Sequence, residues 1–403
     1  MFKKRLFFIL ILFILLISGS IIAFCYFSKE VIQDKNGDFK EKNVNNNILV
    51  VAKKNTNLYI NKNYIYNEKL CFSFLDSKMS KKFGVIYTNY LSNKKTLSHS
   101  TGHEILSESI GLIMLYAVHT NNNLLFDSAY DYMIKNLFSN DIGILWRSEM
   151  SDNSVASSNA SIDDLRILRA LIEAKSLFDT DKYNTSIKRI NDLTLSNLTY
   201  KNNLISYYSK NQVTSTNTIE IGYIDLFTIK LLINFDSRWK NVYKTSIKIV
   251  NSSKLKNIPL FYKSYNIKNK TYKINNKVNM LDSLITMLHL SEVDLLDDKS
   301  YNWLKNKFYK EGKLYGSYFL DGEPTYNYES SAVYAIAARL ADSQNDDIFY
   351  NDLLKKLVNL QVTNSQSEIF GSFGNIDNLE VYSYDNLQSL LAFRRKNYEA
   401  THN

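Results

Sequence analysis

Carboxylates recur along this chain at a coarse interval. Glu108 in LSESIG, Asp163 and Asp164 in ASIDDL, Asp225 in GYIDLF, Asp282 in NMLDSL, Glu329 in NYESSA and Asp385 in YSYDNL follow one another at steps of about 56, 61, 57, 47 and 56 residues. One acid of this kind is a helix cap, meeting free N–H groups and the positive end of the helix dipole. Six at matching places have a second use. If the segments carrying them run side by side in one direction, the acids meet on one rim, and crowded carboxylates divide into a proton donor and a proton acceptor. Trp146, Tyr223, Tyr318, Tyr326, Tyr328, Tyr382 and Tyr384 stand just before or beside these acids. Aromatic faces pack on the apolar faces of sugar rings while carboxylates and phenols bind hydroxyls, so such a rim suggests a carbohydrate.

Other chemistries have little support. His99 and His103 in HSTGHE, followed by Glu104, have metal-pair spacing, but Ser, Thr and Gly interrupt any helix there and no third ligand is evident. They read as loop histidines, so no metal is expected, and no phosphate-cradling glycine loop or Cys-x-x-Cys pair suggests a cofactor. A net charge of +9 over 403 residues is too dilute for a nucleic-acid footprint. Only Cys25 and Cys71 occur, which excludes a disulfide framework.

The elements that position the acids are helices. With 2 Pro, 12 Gly and 45% hydrophobic residues, the chain lacks the punctuation of a strand-rich fold and has ample material for a core. Apolar periodicity predicts helices at about 67–80, 107–120, 123–138, 161–178, 181–200, 221–235, 237–253, 279–293, 298–313, 328–344, 347–361 and 383–396. Most come as pairs joined by short gaps, which makes antiparallel hairpins. SIGLIMLYAV, IDLFTIKLLINF, LDSLITMLHL and SSAVYAIAARLA are apolar on nearly all sides, whereas partners such as SYNWLKNKFYKEGK are amphipathic. An all-round apolar helix belongs inside and an amphipathic one covers it. Six such hairpins make a closed all-α toroid, the (α/α)6 barrel; periodicity alone leaves an irregular bundle or an α-solenoid open.

Three segments resemble glycoside hydrolase family 8, in particular its bacterial exopolysaccharide hydrolases and endoglucanases. LSESIGLIMLYAV is similar to the segment carrying the family's general acid, which maps to Glu108. ASIDDLRILRAL is similar to the signature whose acids hold the sugar at the cleavage point, and NMLDSLITMLHL falls where the family places its catalytic base, which maps to Asp282. Weaker matches are LWR (Trp146, Arg147), GYIDLF (Tyr223, Asp225) and YESSAVYAIAARLA (Glu329). The chain departs from the pattern at Ser109, where the family has Gly, and at Ile162, where the signature has its first Asp. In a gapless alignment Asp163 then replaces a small residue and Asp164 holds the second acidic position. The resemblance implies the (α/α)6 fold and inverting hydrolysis, with Glu108 and Asp282 catalytic. Asp163, Asp164, Trp146, Arg147, Tyr223, Asp225, Glu329 and Tyr384 are the expected sugar contacts. Crowding by Asp163 and Asp164 is expected to keep Glu108 protonated.

The N-terminus adds an address. Lys3, Lys4 and Arg5 precede an uncharged apolar run from Leu6 to Phe27, about 22 residues and enough to span a bilayer core. It exceeds the apolar region of a cleaved signal peptide and ends without a small-residue cleavage site. The positive-inside rule puts the N-terminus in the cytoplasm and the remainder outside. The expected layout is therefore a membrane anchor over 1–28, a polar linker over 29–55 and the barrel over 56–400. The expected activity is internal cleavage of a β-linked exopolysaccharide, cellulose-like or from a biofilm, with a polysaccharide synthase complex as a candidate partner. The rival reading is a non-catalytic glycan-binding accessory of such a synthase, fed by Ser109 and Ile162.

Overall fold

The computed structural model describes residues 59–60, 62–92, 102–148, 156–210, 217–273 and 275–395. The twelve periodic stretches become twelve α-helices: α1 (Ile65–Lys78), α2 (Ser107–His119), α3 (Asn123–Asn136), α4 (Ser161–Leu177), α5 (Asn184–Asn197), α6 (Leu226–Leu232), α7 (Trp239–Asn251), α8 (Met280–Ser291), α9 (Asp298–Glu311), α10 (Ser331–Ser343), α11 (Asp347–Asn359) and α12 (Ser383–Ala392). The even-numbered helices close a ring. Each packs on the next, from α2 through α4, α6, α8 and α10 to α12, and α12 returns to α2. Outside the ring α3, α5, α7 and α11 lean on the inner helix that precedes them, and α1 packs on α12.

Side-chain distribution explains the layering. In α7 the buried residues Trp239, Val242, Ser246, Ile249 and Val250 form one stripe, so this helix can cover a core but not lie within it. In α2 every residue except Glu108 is buried. Asn122, Asp297 and Asp346 start α3, α9 and α11 by accepting the backbone N–H three residues on, each cap worth about 1 kcal/mol. Four inner helices, α2, α4, α10 and α12, have no cap from their own N-cap side chain. Their N-termini are left for other groups.

Short strand pairs stitch the loops at this end of the ring. Residues 105–106 pair with 147–148, 277–279 with 317–319, and 264–266 with both 218–220 and 271–272. The helix expected over 221–235 is shorter, because 221–223 form a single 3-10 turn leading from strand 218–220 and Asp225 caps the helix behind it. The expected membrane anchor and linker, residues 1–55, lie outside the described residues. Among the described residues no helix is long and apolar enough to cross a membrane.

Candidate active site

Glu108 is the second residue of α2, over a helix N-terminus whose dipole favours the ionised form. Burial wins. Desolvation first, then the negative charges of Asp163 and Asp385, lift its pKa from 4.5 to about 7, although Arg166 pulls the other way. Its carboxyl accepts no hydrogen bond and forms no ion pair among the described residues. It is therefore a carboxyl still partly protonated near neutral pH, with no hydrogen-bond partner of its own among the described residues.

The adjacent aspartates of α4 separate. Successive helical residues point about 100° apart, so only one of two neighbours can face the ring axis. That one is Asp163, which accepts from Ser107 Oγ at 2.6 Å and from the Arg166 guanidinium at 2.7 Å, and which acts electrostatically on Glu108. Asp164 is fully buried on the other side. It accepts from Asn159 Nδ2 at 3.1 Å, and it lies against Gly143, where a Cβ would come within 3.1 Å of its Oδ2. Asp164 thus ties α4 to Asn159 and packs on strand 143–144 rather than reaching sugar, and the charge expected from it beside Glu108 comes from Asp385 instead.

Asp282, in the first turn of α8, lines a cavity of about 420 Å³ with Tyr262, Lys263, Asn279, Tyr326 and Tyr328. Burial raises its pKa and Lys263 opposes the rise. Like Glu108, its carboxylate has no hydrogen bond or ion pair among the described residues. A second cavity of about 250 Å³ is lined by Glu329, Ser331, Tyr382 and Asp385, and it shares Tyr328 with the first. The two cavities meet at Tyr328. Tyr223 connects the carboxylates: after desolvation, its phenol is pushed up by Asp163, Glu220, Glu108 and Asp282.

The remaining expected residues divide by engagement. Tyr384 lies beside Glu108 and Arg166 and is pushed up by burial and then by the Glu108 charge. Asp225 caps α6 through Thr228, and Asp385 of α12 caps the neighbouring α10, accepting from Ser330 Oγ, Ser331 Oγ and the Ala332 N–H. Glu329 precedes α10, accepts from Tyr334 and pairs with Lys313 at 3.7 Å. Trp146 takes the Ser107 N–H on its carbonyl at 3.0 Å, which fixes the start of α2. Its ring carries the Arg147 guanidinium at 4.6 Å, and buried Arg147 faces Glu104 at 3.9 Å. His103 stacks on Tyr87 at 4.4 Å with Nε2 against the Tyr90 carbonyl. His99 lies outside the described residues, among which no group of side chains could hold a metal ion.

Two site residues carried no signal in the sequence. Arg166 has only its place three residues after Asp163, and its stem occupies space that a Cβ on Gly111 would enter, 3.0 Å from Arg166 Cδ. Lys263, on a loop, has none.

The chain is thus a toroid of helical hairpins with carboxylates at one mouth, and comparison with known proteins assigns its family. The profile described as "Glycosyl hydrolases family 8" matches residues 95–260. The structure of "a novel alpha-amylase from Clostridium perfringens" is 34% identical with a TM-score of 0.76, over 81% of this chain and 97% of that one. The structure of endo-beta-1,4-glucanase CMCax from Acetobacter xylinum, 17% identical over 81% of this chain and 97% of its own, has a TM-score of 0.59. "Putative lipoprotein YdaJ" of Bacillus subtilis is 25% identical over 77% of this chain and 85% of its own length. The chain belongs to glycoside hydrolase family 8.

Proposed function

We propose that the chain is an endo-acting, inverting O-glycosyl hydrolase, with Glu108 as general acid and Asp282 as general base. The supporting observation is the contrast among the rim acids. Asp163, Asp164, Asp225, Glu329 and Asp385 are held by hydrogen bonds or ion pairs, whereas Glu108 and Asp282 keep their carboxyl groups free for substrate and water. In the reaction the Glu108 proton goes to the departing glycosidic oxygen as its bond to C1 breaks. A water oxygen attacks C1 from the opposite face and its proton goes to Asp282. Inversion needs about 6.5–9.5 Å between the carboxyl groups, which leaves room for that water. A raised pKa suits the acid and an open, lysine-flanked carboxylate suits the base. A site extended over two adjoining cavities suits internal cleavage.

The substrate is a polysaccharide, and two linkages have support. The relative at 34% identity is named an α-amylase, which favours an α-linked glucan. The β-linked, cellulose-like exopolysaccharide read from the sequence is the second candidate, matching the named activity of the Acetobacter xylinum structure. We place the enzyme on the outer face of a membrane, held by the apolar run Leu6–Phe27 with its N-terminus in the cytoplasm. A relative named a lipoprotein is consistent with a membrane address. A polysaccharide synthase remains the proposed partner.

The test is reducing-end release by the full chain in detergent from soluble starch, β-1,4-glucan and amino-sugar polymers, with Glu108→Gln alongside. Release that vanishes in the variant supports the assignment, and NMR of the fresh product anomer tests inversion. Glycan binding without release, equal in both proteins, would favour the accessory role instead.

A further inference from the structure

Beyond Asp282 the cleft changes character. Lys263, Lys273 and Lys277 all line the Asp282 cavity, and all three are exposed. They arrive from different places. Lys263 precedes strand 264–266, Lys273 follows strand 271–272, and Lys277 opens strand 277–279, which leads directly into α8. Antiparallel pairing of 265–266 with 271–272, and of 277–279 with 317–319, fixes the ribbon and strand that present these lysines. The acids facing them are Asp282 within the cavity and Glu220, paired with Lys263 at 3.9 Å. Lys273 and Lys277 make no ion pair among the described residues, and Lys277 Nζ lies over the Tyr326 ring at 5.3 Å. Three lysines against two acids leave this arm of the cavity with an excess of positive charge, two of its ammonium groups having no ion pair among the described residues. A neutral glucan has no use for that charge. A glycan bearing negative charge does.

We propose that the arm of the cleft formed by Lys263, Lys273, Lys277 and Tyr326 is a subsite for an acidic group, a carboxylate or phosphate, carried on a sugar of the bound polysaccharide. Tyr326, 69% exposed, supplies the flat face for the ring, and the lysines meet its charge. This deepens the hydrolase reading by naming a substrate class, an acidic or acid-substituted glycan, and it concerns binding rather than the chemical step.

Binding by the full chain therefore tests it independently of turnover. The probes are carboxymethyl and hydroxyethyl starch, the corresponding cellulose ethers, and phosphorylated starch, followed by affinity electrophoresis and calorimetry. Within at least one backbone the charged polymer should bind more tightly than the neutral one, with the advantage shrinking in high salt. The double variant Lys273→Gln/Lys277→Gln should lower the charged-to-neutral affinity ratio by about tenfold. Response to carboxymethyl but not phosphorylated starch, or the reverse, identifies the acidic group. Equal binding of charged and neutral polymers, an unchanged ratio in the variant, or no binding to any of the five overturns the inference. Reducing-end release fails separately: a charge preference without release would sink the hydrolase and keep the subsite.

Discussion

Replacing Glu108 by Gln should remove activity and add stability, and the added stability should depend on pH. The wild-type carboxyl titrates at about 7 in the folded protein against 4.5 when unperturbed. A group with its folded pKa raised binds its proton more tightly when folded. Its contribution is fully present below pH 4.5 and is lost as pH rises to about 7. At 1.36 kcal/mol per pKa unit, the ionised carboxylate costs the fold about 3 kcal/mol above that range. Glutamine keeps the shape of the neutral acid without the charge. Glu108→Gln should therefore stabilise the protein little near pH 5 and more near pH 8, the difference reaching about 2–3 kcal/mol. Urea unfolding of both proteins at the two pH values, read by circular dichroism with slopes compared, measures this directly. A stability difference identical at pH 5 and pH 8 would refute the reasoning, whatever happened to activity. Hydrolysis by the variant should meanwhile fall by about 10²–10⁴-fold.

The pH profile of kcat/KM should be bell-shaped, its alkaline limb near the Glu108 value of about 7 and its acid limb above the ordinary aspartate value of 3.8, since Asp282 is also raised. Asp163→Asn removes a charge that raises Glu108, so the alkaline limb should move to lower pH; a limb that stays or climbs contradicts the assigned coupling. Asp282→Asn should cut kcat by about 10²–10⁴-fold with little change in melting temperature, and added azide should restore turnover by replacing the activated water. Asp164→Ala should do the reverse, costing about 1–3 kcal/mol in denaturant unfolding by leaving one buried Asn159 N–H without its acceptor while keeping the pH profile in place.

The twelve helices were legible because each carries a periodic apolar stripe or an all-round apolar surface, and either survives without knowledge of what it packs against. The shortened α6 was not, since Ile221, Gly222 and Tyr223 satisfy an apolar pattern while their backbone follows strand 218–220 into a 3-10 turn. Placing the acids at helix starts was within reach of spacing alone. Choosing between Asp163 and Asp164 was not, because a shift of one residue rotates a side chain by about 100° and the choice rests on packing between α4 and its neighbours. Arg166 had no independent signal, being recognisable only beside Asp163 and over Gly111. The lysine arm escaped for another reason: its members are scattered over loops and strands of two or three residues, where no periodicity exists to be read.

The ring has no partial form that holds the site. Glu108 comes from α2, while Tyr384 and Asp385, which bear on its proton, come from α12, and the seam is closed by a hydrogen bond between Ser109 and Ser383, 274 residues apart in sequence. Contacts of such long separation form late and slowly. Until α12 docks, Glu108 lacks the charge of Asp385 and the neighbouring phenol of Tyr384. A chain folding in N-to-C order thus completes the surroundings of its acid only when α12 is in place.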